Sequence, residues 1–144
     1  MSVEKPPLLS SSLATPADAA RIFHQIGAEL IQKAIRLFYD RAFEDPMIQH
    51  FFMHSDKEHL IREQTLFATA LLGGPRQYKG LPLERAHEKR SIRLPHFRRR
   101  QILMGEVLTE LGLEDELRKE WLRREETLRP LILGEGVADC DHPH

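Results

Sequence analysis

The sequence predicts an all-α domain, on three observations. Apolar residues recur at spacings of three and four over four long stretches, the period of one helix face. Glycine and proline stand between those stretches, where they start or stop helices. No run alternates β-branched with polar residues, so nothing reads as a strand. At 144 residues the chain is one domain, long enough to bury a core. That domain is expected over residues 15–133, between aperiodic tails at 1–14 and 134–144 that read as disordered.

The elements follow in order. Thr15-Pro16-Ala17-Asp18 starts the first helix, with a Thr cap, Pro in the first helical position and an acid in the first turn. It runs to about Gln25 and is closed by Ile26-Gly27, since glycine tolerates the left-handed backbone. Ala28 to Phe43 is a long helix with Ile31, Ala34, Ile35, Phe38 and Ala42 on one face, stopped by Asp45-Pro46. Met47 to Phe52 is a short aromatic bridge, and Ser55 or Asp56 caps the next helix. Its stripe is Leu60, Phe67, Ala68 and Leu71, and Gly73-Gly74-Pro75 ends it. From Pro75 to Ile92 the pattern is weak, a loop with one or two turns around Pro82 to His87. Pro95 opens another long helix, with Phe97, Met104, Leu108 and Leu111 on one side, and Gly112 breaks it. Glu114 to Leu133 is the last helix, with Leu117, Trp121 and Leu128 inward and Pro130 kinking or ending it.

Charge and composition exclude several functions. Lys and Arg number 21 against 22 Asp and Glu, a net charge of -1, which removes the electrostatic case for a nucleic-acid partner. No stretch approaches the roughly 20 apolar residues that span a membrane. Met1 to Pro16 lacks the apolar run of a secretory signal, and Cys140 is the sole cysteine. A cytoplasmic protein in a reducing compartment is therefore expected.

Three polar residues stand out. Gln64 falls within the apolar stripe of its helix, four residues after Leu60 and three before Phe67. A buried amide without partners costs about 1–3 kcal/mol, so something polar must meet it, either a neighbouring protein group or a ligand. Tyr39 lies at the edge of its helix's apolar face, four after Ile35, where a ring packs inward and the hydroxyl seeks a partner. His87 shares a face with Leu83 on a short helical turn. Spacing alone leaves it open between a satisfied core histidine and a metal ligand.

Taken together, these residues resemble a family. Ile26-Gly27, Phe38-Tyr39, Phe51-Phe52, Leu60-x-x-x-Gln64-x-x-Phe67, Leu72-Gly73-Gly74-Pro75, Tyr78-x-Gly80, Ala86-His87 and His96-Phe97 occur in the order and spacing of the truncated haemoglobins, most closely their first group. The resemblance spans about residues 18–132. It implies a globin-like, truncated two-over-two helical sandwich around haem b. His87 is then the proximal ligand to iron, and Tyr39 the distal donor to bound dioxygen with Gln64 as its partner. Phe52 packs on the haem face, Leu60 takes the distal position held by histidine in larger globins, and Phe67 and Phe97 belong to the pocket. Tyr78, with Lys89 and Arg90, lies where haem propionates are met. A single imidazole leaves five-coordinate iron with an open side for dioxygen or another diatomic gas. The implied partners are that gas and, optionally, a reductase, with the protein a monomer or weak dimer.

Some positions depart from the family pattern. Gly27-Ala28 replaces a glycine pair, and Ala68 stands where some members carry a phenylalanine that gates a gas tunnel. Arg100, three after Phe97 and four before Met104, places a cation on the side that lines the pocket. Two explanations are open for it: the side chain snorkels to a propionate or solvent, or the helix register shifts. The functions in competition are reversible gas binding, oxidation of nitric oxide to nitrate by the dioxygen form, and a haem-free interaction module in which His87, Tyr39 and Gln64 are core residues.

Overall fold

The computed structural model describes residues 16–77 and 92–133. Six α-helices lie in that range: α1 Pro16–Ile26, α2 Ala28–Ala42, α3 Lys57–Leu71, α4 Leu94–Glu110, α5 Asp115–Glu126 and α6 Arg129–Leu133. A single 3₁₀ turn, Gln49–Phe52, connects α2 to α3. Among the described residues there is no strand, and no helix is long and apolar enough to cross a membrane. The expected tails at 1–14 and 134–144, the Thr15 cap and the turn around Pro82 to His87 lie outside the described residues.

Glycines set the joints. Gly27 has φ 91°, its N–H donates to the Phe23 carbonyl at 2.8 Å, and its own carbonyl accepts from Ile31 N–H at 3.2 Å. One residue thus closes α1 and begins α2. At the end of α3, Gly73 takes φ 100° and donates to the Ala70 carbonyl at 3.1 Å, while Gly74 N–H reaches the Thr69 carbonyl at 2.8 Å. This is a Schellman closure, which satisfies two carbonyls that the helix cannot. Gly74 is needed for a different reason: a Cβ there would stand 2.7 Å from Phe23 Cδ1, so α1 rests directly on that turn.

α2 packs against α1, α3 and α4, and α4 packs against α5, giving two helix pairs laid one over the other. Ile31, Ala34, Ile35, Phe38 and Ala42 all point into the core, as their spacing predicts. They meet Leu72, Met104, Val107, Leu108 and Trp121, all fully buried. Asp56 caps α3, its carboxylate accepting from His59 N–H at 3.2 Å. Pro95 sits in the first turn of α4, and Gly112 ends that helix. Arg124 Nη1 donates to the Leu71 carbonyl at 3.1 Å, tying α5 to the terminal turn of α3.

Three expectations are corrected. The buried row of α3 is Ile61, Ala68 and Leu72, whereas Leu60, Phe67 and Leu71 are only half-buried, one step round the helix. Both rows are apolar, and α2 covers the first of them. The predicted helix over 114–133 is two helices: α5 ends at Glu126 because the Pro130 ring would collide with the carbonyl four residues before it. Leu128 is consequently half-buried, and the inward position after Trp121 is taken by Glu125.

Candidate ligand pocket

The C-terminal half of α2, the 3₁₀ turn and the first two turns of α4 line a cavity of about 80 Å³. α2 contributes Phe38 and Tyr39, the connection to α3 contributes Ile48, Phe51 and Phe52, and α4 contributes His96, Phe97 and Arg100. Ile92 and Ile132 also line it. Tyr39 is only 5% exposed. Its ring meets Phe38 edge-on at 4.8 Å and Phe52 edge-on at 5.6 Å, and Phe52 stacks on Phe43 at 5.1 Å. Edge-to-face packing on both sides leaves the ring little rotational freedom, so the direction of the hydroxyl is fixed by its neighbours.

Arg100 has a protein partner that neither explanation named. Phe97, Met104 and Leu108 are buried as predicted, so α4 has not changed register. The guanidinium turns inward: Nη1 donates to Glu125 Oε1 at 2.9 Å, and the plane lies over the Phe38 ring at 4.8 Å. The second carboxylate oxygen of Glu125 accepts from Trp121 Nε1 at 3.0 Å. Burial alone would push the guanidinium's pKa down; the facing Glu125 carboxylate and the Tyr39 hydroxyl outweigh it and raise the pKa. The buried charge of this pair is the Glu125 carboxylate, which needs such a partner, and it is the signal that sequence reading passed over. It lies four residues after Trp121 and eight after Leu117, squarely on the inward face of α5.

His96 was noted only as part of a motif, yet it lines the cavity. Its Nδ1 accepts from the Arg93 backbone N–H at 3.0 Å, which assigns the ring proton to Nε2. Burial holds its pKa below the ordinary histidine value, reinforced by His50, 5.5 Å away between ring centroids, and by Arg93. Phe51 packs edge-on against the same imidazole at 4.9 Å.

The predicted site residues divide into three sets. Tyr39, Phe52 and Phe97 come together in the cavity wall. Leu60, Gln64 and Phe67 lie along one half-buried row of α3, outside that wall. Tyr78, His87, Lys89 and Arg90 lie outside the described residues. His54 and His59 are exposed, as the position of His59 beside Leu60 predicts.

Known proteins share this fold. The family model of bacterial-like globins matches residues 21–133. The group 1 truncated hemoglobin of Tetrahymena pyriformis is 35% identical over 114 residues, covering 78% of this chain and 94% of the relative. The chain belongs to the truncated haemoglobins. A group 1 member from Mycolicibacterium paratuberculosis is 32% identical over 117 residues, 81% of this chain and 86% of that one. The crystal structure of the Tetrahymena pyriformis protein in its Fe(III) form superposes with a TM-score of 0.74 at 31% identity, over 80% of this chain and 97% of that one. The truncated haemoglobin fold is thus the fold of this chain, close to group 1, and the family's general business is haem-based gas binding.

The described residues of this truncated haemoglobin fit a flat apolar cofactor. The row Leu60, Gln64, Phe67 and Leu71 of α3 is largely apolar and yet only half-buried, next to a row that is fully packed. A cofactor covers such a row with apolar surface and leaves one polar group among it for orientation.

Proposed function

We propose that this protein binds haem b, with His87 as its one protein ligand, and takes dioxygen or another diatomic gas on the side where Tyr39 stands. The observation that carries the reading is Tyr39 itself, nearly fully buried in the wall of a cavity whose volume of about 80 Å³ suits a ligand of a few atoms. Bound haem supplies the iron at which a diatomic ligand is held. The chain's own residues do the rest. The Tyr39 hydroxyl donates a hydrogen bond to a ligand that gains negative charge, and the packing of Phe38 and Phe52 against its ring fixes that donor in place before the ligand arrives. Phe51, Phe52 and Phe97 keep bulk water out. Gln64, from the adjacent row of α3, is assigned to support Tyr39 from the far side, and Phe52, Leu60 and Phe67 to pack on the haem face.

The test is an absorption spectrum of the purified protein, before and after haem is added, repeated on His87→Ala. The expected result is a haem band in the wild type whose position and intensity change in the variant. Wild-type protein with no such band in either condition overturns the proposal in favour of a haem-free interaction module. Mixing the oxygenated protein with nitric oxide then separates carriage from oxidation, since fast stoichiometric nitrate assigns the second.

A further inference from the structure

We infer that Arg100 is a positioning residue for Tyr39: it donates a hydrogen bond to the phenolic oxygen and so turns the hydroxyl proton toward the bound gas. The inference rests on the haem reading above and adds to it a residue of α4.

A phenol both donates and accepts, and its O–H lies close to the ring plane, pointing to one side or the other. Edge-on packing by Phe38 and Phe52 fixes the Tyr39 ring and leaves that choice open. A neighbour at the oxygen makes the choice, and its hydrogen-bonding character decides the direction. An acceptor draws the proton to itself. A guanidinium carries only N–H groups, so it can only donate to the oxygen and leaves the proton to the opposite side. Arg100 is such a neighbour: it lines the same cavity as Tyr39, and its guanidinium is hydrogen-bonded to the Tyr39 hydroxyl.

The guanidinium is held there from behind. Nη1 donates to Glu125 Oε1 at 2.9 Å, and Glu125 is itself fixed by Trp121 Nε1 at 3.0 Å. The guanidinium carbon lies 4.8 Å from the centre of the Phe38 ring, and Phe38 meets the Tyr39 ring edge-on. His96, the remaining polar side chain among those lining the cavity, presents Nε2–H because Nδ1 accepts from Arg93 N–H, so it too offers the phenolic proton no acceptor. The charge adds to the direction. A cation at the phenolic oxygen polarises the O–H, and hydrogen bonds linked in this way strengthen one another. Packing does not call for the pair, since apolar residues of similar volume in place of a buried ion pair are often neutral or stabilising.

The experiment follows dioxygen release from the ferrous haem-loaded protein by stopped flow, with three substitutions at Arg100, each made alone and on Tyr39→Phe. Arg100→Met removes the donor, and Arg100→Gln brings an acceptor that competes for the phenolic proton; each alone is expected to speed release about three- to tenfold. Arg100→Lys, again a donor without an acceptor, is expected to stay within about twofold of the wild type. On Tyr39→Phe all three should change the rate less than about twofold, because Arg100 acts through the hydroxyl. Wild-type rates in the Met and Gln variants, a Lys variant as fast as the Gln variant, or an acceleration that persists on Tyr39→Phe overturns the inference. The Gln and Lys variants decide it if Arg100→Met does not fold. A wild-type rate in Tyr39→Phe itself overturns the donor role and the inference with it, whereas absence of a haem band in the wild type marks the failure of the haem reading.

Discussion

Asp45→Asn is the sharpest test of how the pocket's two walls are held together. Asp45 follows α2, and its carboxylate is 5% exposed. Oδ1 accepts from Arg99 Nε at 3.0 Å and Nη2 at 2.7 Å, and Oδ2 accepts from the Met47 backbone N–H at 3.1 Å. The first pair joins the end of α2 to α4, and the second folds the chain back into the aromatic bridge that carries Phe51 and Phe52. A charge-assisted hydrogen bond contributes roughly 1.5–3 kcal/mol when well buried, and an exposed ion pair under about 1 kcal/mol. Asp45 is buried but Arg99 is 33% exposed, so the value lies between. Asn preserves an acceptor and removes the charge; we expect a loss of about 1–1.5 kcal/mol, or a fall in Tm of roughly 3–5 °C for a domain of this size. The carboxyl is held below its ordinary pKa chiefly by the Arg99 hydrogen bond, so its contribution is present above the unfolded carboxylate value and lost as pH falls through the folded one. Urea unfolding followed by circular dichroism at neutral pH measures the loss, and the gap between wild type and variant should close in acid, below about pH 4. A loss under about 0.5 kcal/mol, or one that persists unchanged in acid, would refute the role given to the Arg99 pair.

Three further outcomes are expected. Tyr39→Phe should speed dioxygen release by about tenfold, measured by stopped-flow displacement with carbon monoxide; an unchanged off-rate removes Tyr39 from the donor role. Gly74→Ala places a methyl 2.7 Å from Phe23 Cδ1 and 2.8 Å from Thr69 Cγ2, and should cost about 1–3 kcal/mol in chemical denaturation, with wild-type stability refuting the contact between α1 and the end of α3. His96 has a folded pKa below the ordinary value, so the unfolded chain takes up its proton first: stability should be full above about pH 6.5 and fall as pH drops below it. His96→Asn should flatten that part of the profile in urea titrations at several pH values, and an identical slope in the variant excludes His96 as its source.

What the sequence disclosed about this fold, and what it hid, divide along a physical line. A helix face is a local property. The spacing of Ile31, Ala34, Ile35 and Phe38 dictates one buried row whatever the partner, and Gly27 and Gly73 mark joints because their backbone is left-handed there. Tyr39, Phe52 and Phe97 were legible through their motifs, and they do meet in one cavity. Which of two adjacent apolar rows on α3 faces protein is not local, since Leu60 and Ile61 differ by one step round the helix and only α2 decides between them. Pairs between elements are hidden for the same reason. Asp45 read as a helix stop because its neighbour is proline, while its partner Arg99 is 54 residues away.

The case of Arg100 shows how far such a pair can be anticipated. A cation on an inward helix face has few physical outcomes: it reaches solvent, it shifts the helix, or a carboxylate comes to it. The third needs an acid on the inward face of some other helix. Glu125 meets that requirement, because Leu117 and Trp121 define the buried face of α5 and the next position in that row is Glu125 itself. Two opposite charges, each out of place on its own apolar face, are jointly in place once the faces pack, as the bond of 2.9 Å between them records. Trp121 then receives a partner for its indole N–H, which a fully buried tryptophan requires. The three residues form one polar unit within the core, and its cationic end stands beside Tyr39, where the ligand is expected. The polar chemistry of the pocket is thus set in part from α4 and α5, outside the Tyr39 and Gln64 pair to which the family pattern points.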